Sequence, residues 1–164
     1  MLRSQKLSEK LLSVCLKKNI KLKTAESCTG GLLSANITAI AGSSAVFSHG
    51  FICYSNESKR KFLNVSAKTI NSYGAVSYET VKQMLTGLCK QARSKTLSIA
   101  ISGVAGPSGS ESKPVGLVFI GVKISSYDTE AITEHNFGDV GRNKIQQKSV
   151  DEALKLSLNI IRDI

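Results

Sequence analysis

Tryptophan is absent, proline occurs only as Pro107 and Pro114, and histidine only as His49 and His135. With few aromatic side chains to stack on bases and no arm of clustered Lys and Arg, the chain has little of what a nucleic-acid binder uses. No two cysteines form a C-x-x-C pair. Cys15, Cys28, Cys53 and Cys89 are far apart, and no histidine stands close enough to complete a zinc site. They read as reduced thiols filling small apolar spaces. No apolar run approaches the roughly 20 residues that cross a bilayer. The N-terminal M-L-R-S-Q-K-L-S-E-K lacks the unbroken apolar stretch of a signal peptide. A cytoplasmic protein with no metal and no membrane contact is expected.

What is present is one domain's worth of chain, 164 residues with 41% hydrophobic residues, enough to bury a core without staples. The net charge of +10 comes from 17 lysines and 5 arginines spread along the sequence, the densest group being Lys59, Arg60 and Lys61. That pattern describes a solvated lysine-rich surface more than a phosphate-backbone footprint.

Residues 4 to 18 carry Leu7, Leu11, Leu12, Val14, Cys15 and Leu16 at helical spacing, an amphipathic helix. Lys21 to Ala25 is a first strand, and Val46 to Tyr54, rich in β-branched and aromatic residues, a second. Ser55 is placed to cap a short helix through Lys59, Phe62 and Leu63. Ser66 to Tyr73 and Ser77 to about Arg93 are two further helices. Leu97 to Ser102 is a buried strand leading into G-V-A-G-P-S-G-S-E-S-K-P-V-G, a loop of ligand-binding make-up or else a linker. Val115 to Ile124 and Ala131 to Phe137 are strands, and Gly138 to Ile164 settles into a closing helix through Ile145, Val150, Leu154, Leu158 and Ile161, whose first turn carries Arg142 and Lys144. Strands alternating with helices predict one α/β/α sandwich over a mostly parallel or mixed sheet.

The stretch that suggests chemistry is T-A-E-S-C-T-G-G-L-L, Thr24 to Leu33, read as strand, tight turn and helix with Ser27 in the turn. Gly30 and Gly31 leave room for a ligand against the backbone, and the first N–H groups of the helix would attract an anion or oxyanion. The plain alternative is a helix capped by Ser27 or Thr29. Cys28 is a second candidate nucleophile, since a thiol at a helix N-terminus can be activated. Lys59 stands in the first turn of its helix, where the macrodipole disfavours a cation and favours loss of its proton. No histidine lies in a recognisable motif with a serine, so a serine nucleophile here needs a lysine base.

T-A-E-S-C-T-G-G, then A-G-S-S-A with G-F-I-C-Y-S-N-E-S-K, Y-G-A-V-S, and S-G-V-A-G-P with K-P-V-G-L-V resemble, in order and spacing, the CinA C-terminal domain family. Its characterised members are nicotinamide-nucleotide amidases. The resemblance runs from about residue 5 to 160 and implies a single domain over 1–164 in a stand-alone form. It implies hydrolysis of nicotinamide mononucleotide to nicotinic acid mononucleotide and ammonia, in pyridine nucleotide salvage, without a metal or organic cofactor. It makes Ser27 the nucleophile and Tyr54 and Lys59 the proton-handling pair. It assigns substrate contact to Cys28, Thr29, Gly30, Gly31, Asn56, Ser102, Gly103, Ala105, Gly106 and Arg142. Lys59 must then be lowered by burial or by the helix end from the usual lysine value of about 10.4.

The chain departs from the family pattern at G-D-V-G-R, where G-D-R is usual, so that Arg142 serves the phosphate only if the loop shifts by two residues. It departs again at Gln146 and Gln147, where an Arg pair is common. The expected partners are the small-molecule substrate and further copies of the chain, with no membrane and no direct nucleic acid. The alternatives are a catalytically silent nucleotide-binding module and a basic nucleic-acid-associated protein linked to competence.

Overall fold

The computed structural model describes residues 3–90, 95–110, 112–125, 127 and 129–164. It runs α1 (Arg3–Lys17), β1 (Lys21–Glu26), α2 (Leu32–Thr38), β2 (Phe47–Ile52), α3 (Asn56–Leu63), α4 (Ala67–Tyr73), α5 (Tyr78–Lys90), β3 (Thr96–Gly103), β4 (Leu117–Ile124), β5 (Thr129–Asn136) and α6 (Arg142–Arg162), with a 3₁₀ turn at Ser43–Ala45. The expected continuation of α5 to Arg93 falls outside the described residues.

The five strands form one sheet in the order β2-β1-β3-β4-β5. β1 pairs parallel with β2 and with β3, whereas β4 and β5 add antiparallel as a meander. The sheet is therefore mixed, and its parallel part needs helical crossovers that return the chain over a face. Layers follow from that. α1, α2 and α6 cover one face around Leu11, Leu33, Ile99, Ile120, Leu154 and Ile161. α5, with α3 and α4 against it, covers the other around Val81, Met84, Leu85, Leu88 and Ala100.

β3 and β4 lie between these layers and are buried almost throughout, the apolar residues of β3 being interrupted by the hydroxyls of Thr96, Ser98 and Ser102. Each fully buried leucine or isoleucine there contributes roughly 1.5–3 kcal/mol. Gly87 lets α5 approach α3 closely, since a Cβ at that position would run into the Leu63 carbonyl.

β1 is followed by β2 on one side and flanked by β3 on the other, so the crossovers diverge at its carboxyl end. Such a point leaves a crevice above the strand ends in open α/β sheets. Ser27 follows β1 directly, Cys53 and Tyr54 follow β2, and the glycine-rich loop leaves β3. Among the described residues no helix is long and apolar enough to cross a membrane.

Candidate active site

Ser27 is anchored by its own N–H, which donates to the Ile101 carbonyl of β3 at 3.0 Å. Its side chain faces the crevice, and Lys59 Nζ donates to Ser27 Oγ at 3.2 Å. The same nitrogen donates to the Cys53 carbonyl at 2.9 Å and to the Tyr54 carbonyl at 3.4 Å. Lys59 is 1% exposed. It reaches that position because Ser55 caps α3, its Oγ accepting from the Ser58 N–H at 3.1 Å, so that the helix starts just past the end of β2. Lys59 and Leu63, four residues apart, share the inward face of α3, and Lys61 is turned to solvent.

These groups line a cavity of about 250 Å³ together with Tyr54, Asn56, Ser102 and Arg142. Arg142, the first residue of α6, donates to the Tyr54 phenolic oxygen at 2.8 Å and to the Gly106 carbonyl at 2.7 Å. The G-D-V-G-R loop thus delivers its arginine to the pocket in spite of the two extra residues. What it does there is tie Tyr54 to the glycine-rich loop. Ser102, 1% exposed, donates its hydroxyl to the Ala75 carbonyl at 2.8 Å and so holds the Y-G-A-V-S segment against β3. Gly103, Ala105 and Gly106 form part of the wall, as does Cys28.

Thr29, Gly30 and Gly31 do not line the cavity. The reason is Glu26, which is 0% exposed. Its carboxylate accepts from the N–H groups of Gly31 at 3.2 Å, Leu33 at 3.0 Å and Ser34 at 2.8 Å, and from Ser34 Oγ at 2.6 Å. The anion-attracting end of α2 is already occupied by this side chain. Neither Ser27 nor Thr29 caps the helix, and the N-cap position is Gly31, with φ 99°. The Gly30 N–H donates to the Ser27 carbonyl at 3.0 Å. Among the described residues the N–H groups of Cys28 and Thr29 donate to no backbone carbonyl, and of these two residues only Cys28 lines the cavity.

The Cys28 thiol is packed into the apolar core, and burial pushes its pKa up to about 12. A thiol protonated at neutral pH is a poor nucleophile, which weighs against Cys28 as the rival of Ser27. Among the described residues no group of three His, Cys, Asp or Glu side chains could hold a metal ion.

Sequence reasoning overlooked several contributors. Ala75, Val76, Val104, Ser108 and Ser110 also line the cavity. Gln146 donates to the Cys28 carbonyl at 2.8 Å and pins the serine turn to α6. The i, i+4 spacing of Arg142 and Gln146 on a predicted helix was the available signal for that pair.

A buried serine–lysine contact above the carboxyl ends of parallel strands defines a small α/β domain with a preformed pocket, closed by the first turn of its last helix. The chain belongs to the CinA C-terminal domain family, whose model matches residues 4–161. It is 42% identical over 153 residues to the CinA-like protein of Petrotoga mobilis, a match covering 93% of this chain and 37% of that protein. The chain spans little more than a third of the length of such curated relatives. The competence/damage inducible protein CihA from Agrobacterium tumefaciens shares the fold with a TM-score of 0.92 and 37% identity, over 98% of this chain and 96% of that one. A competence-damaged protein (CinA) superfamily protein from Klebsiella pneumoniae has a TM-score of 0.91 at 30% identity, over 98% and 99% of the two chains.

Proposed function

We propose that the domain is an amidohydrolase that converts nicotinamide mononucleotide to nicotinic acid mononucleotide and ammonia, with Ser27 as nucleophile and Lys59 and Tyr54 moving the protons. The observation that carries the reading is the 3.2 Å contact between Lys59 Nζ and Ser27 Oγ in a buried setting. The pyridine nucleotide is the substrate that membership of the CinA C-terminal domain family suggests.

Burial disfavours the charged form of an amine. A neutral Lys59 donates its two hydrogens to the Cys53 and Tyr54 carbonyls and turns its lone pair to the Ser27 hydroxyl. As Ser27 Oγ bonds to the carboxamide carbon, its proton passes to Lys59, and the carbonyl oxygen becomes an oxyanion. The amide of Cys28, whose residue lines the cavity, is the donor at hand for that charge, where one such donor is typically worth about 3–4 kcal/mol of barrier.

The C–N bond then breaks. The leaving nitrogen takes a proton from the Lys59 ammonium or from the Tyr54 phenol, whose oxygen already accepts from Arg142 and whose own hydrogen remains to be given. Water attacks the ester so formed, giving its proton to whichever of Lys59 and Tyr54 protonated the leaving nitrogen, and the Lys59 ammonium returns a proton to Ser27 Oγ as the acyl bond breaks and the carboxylic acid leaves.

The test is ammonia release from nicotinamide mononucleotide, measured beside free nicotinamide and in the presence of EDTA. Turnover of the mononucleotide that EDTA does not affect is expected. No ammonia, or activity lost to EDTA and restored by zinc, overturns the proposal.

A further inference from the structure

Next to the serine pocket lies a second cavity, of about 550 Å³, whose walls include Asn56, Asn71, Ser72, Tyr73, Ser112 and Lys113. Asn56 belongs to both linings, and the two walls continue into each other at Gly74 to Ala75. Small-molecule sites usually enclose about 300–1,000 Å³. At about 250 Å³ the serine pocket falls below that range, and the two cavities together fall within it.

The second cavity has the chemistry of an anion seat. Among the described residues Lys113 is the one charged residue of its lining, the other polar groups being amides, hydroxyls and a phenol. Among the described residues the Lys113 side chain has no hydrogen bond or ion pair. Its backbone is tied down. The Lys113 N–H donates to the Ser110 carbonyl at 2.7 Å, and the Ser110 N–H returns a bond to the Lys113 carbonyl at 3.2 Å. The other sites that the sequence offers to an anion are already engaged, the α2 N-terminus by Glu26 and Arg142 by Tyr54 and Gly106.

We propose that this second cavity seats the anionic end of the substrate, a phosphate monoester on a sugar, with Lys113 as its point charge and Asn71, Ser72 and Ser112 as hydrogen-bonding partners. The uncharged carboxamide end then reaches Ser27, with Asn56 at the passage between the two. The assignment rests on the amidohydrolase reading for the identity of the substrate, and on the cavity alone for the anion.

Lys113→Gln keeps a polar side chain one heavy atom shorter and removes its charge. The ratio of kcat/KM for nicotinamide mononucleotide to that for the riboside should fall about 10-fold or more, as expected for a lost hydrogen bond to a charged group, through KM and not kcat. In parallel, ribose 5-phosphate should raise the thermal midpoint of the wild-type protein and leave that of Lys113→Gln unmoved. An unchanged ratio, or a ribose 5-phosphate response that is equal in both proteins or absent from the wild type, overturns the anion seat. If the wild type releases no ammonia from either compound, the amidohydrolase reading fails. The ribose 5-phosphate comparison then decides the cavity by itself.

Discussion

Lys59 Nζ lies 3.2 Å from Ser27 Oγ although the two residues are 32 positions apart. They meet because β1 and β2 are parallel neighbours, so the residues just beyond each strand emerge on the same edge of the sheet. If Lys59 is the base, Lys59→Arg should lower kcat nearly as much as Lys59→Ala, by about 100-fold or more, because guanidinium keeps its proton at any usable pH. Lys61→Ala, on the solvent side of the same helix, should be close to wild type. Activity should rise with pH as the amine becomes neutral. Near-normal rates for Lys59→Arg would show that the lysine serves only as a positive charge.

The buried Cys28 thiol, pushed up to about 12 by burial, is expected to be inert. Ser27→Ala should leave almost no turnover, Cys28→Ser should keep most of it, and iodoacetamide at neutral pH should cause no loss. Inactivation by alkylation at Cys28 would move the chemistry to sulfur.

Glu26 is expected to matter for stability as well as for the shape of the turn. Glu26→Ala strands three backbone N–H groups and leaves the Ser34 hydroxyl only its contact with Thr24 Oγ1, and should cost about 2–4 kcal/mol in urea unfolding. Glu26→Gln, which keeps one carbonyl acceptor, should cost less. A loss below about 0.5 kcal/mol for the alanine variant would mean that water replaces the carboxylate at the end of α2.

His49 and His135 are expected to contribute to the pH dependence of folding. Burial lowers both, with the charge of Lys23 lowering His49 further and the opposing fields of Glu152 and Lys155 acting on His135. Below the ordinary histidine value of about 6.5 the unfolded chain binds protons that the folded chain refuses. Stability should therefore be fully present above that value and decline as pH falls through and below it. Replacing both histidines by Gln should flatten this part of the curve in denaturant titrations at a series of pH values. An unchanged slope would assign the dependence to the carboxylates.

Much of the architecture is legible along the chain because it depends on local periodicity and punctuation. The 3.6-residue pattern of Leu7, Leu11 and Cys15 is α1, the β-branched run after Val46 is β2, and Ser55 is the cap of α3. β2 ends at Ile52, so Tyr54 rides on the connection to α3 and not on the strand itself. Glu26 was visible as a residue, but not as the cap of α2, because a cap from before the turn depends on how tightly the chain folds back at Gly30 and Gly31.

The sequence by itself determined the elements, their likeness to the CinA C-terminal domain family and the small set of hydroxyl, phenol and amine groups that end up near the strand ends. The tertiary structure decided which of them touch. Arg142 reaches Tyr54 across 88 positions and Gln146 reaches Cys28 across 118. The Gly31 N–H and the first N–H groups of α2 went to Glu26, and the Gly30 N–H to the Ser27 carbonyl. Contacts of this kind depend on strand order, on register and on the face α6 turns to the sheet. Those are set by how the two apolar cores close around β3 and β4, a balance no single stretch of the chain contains.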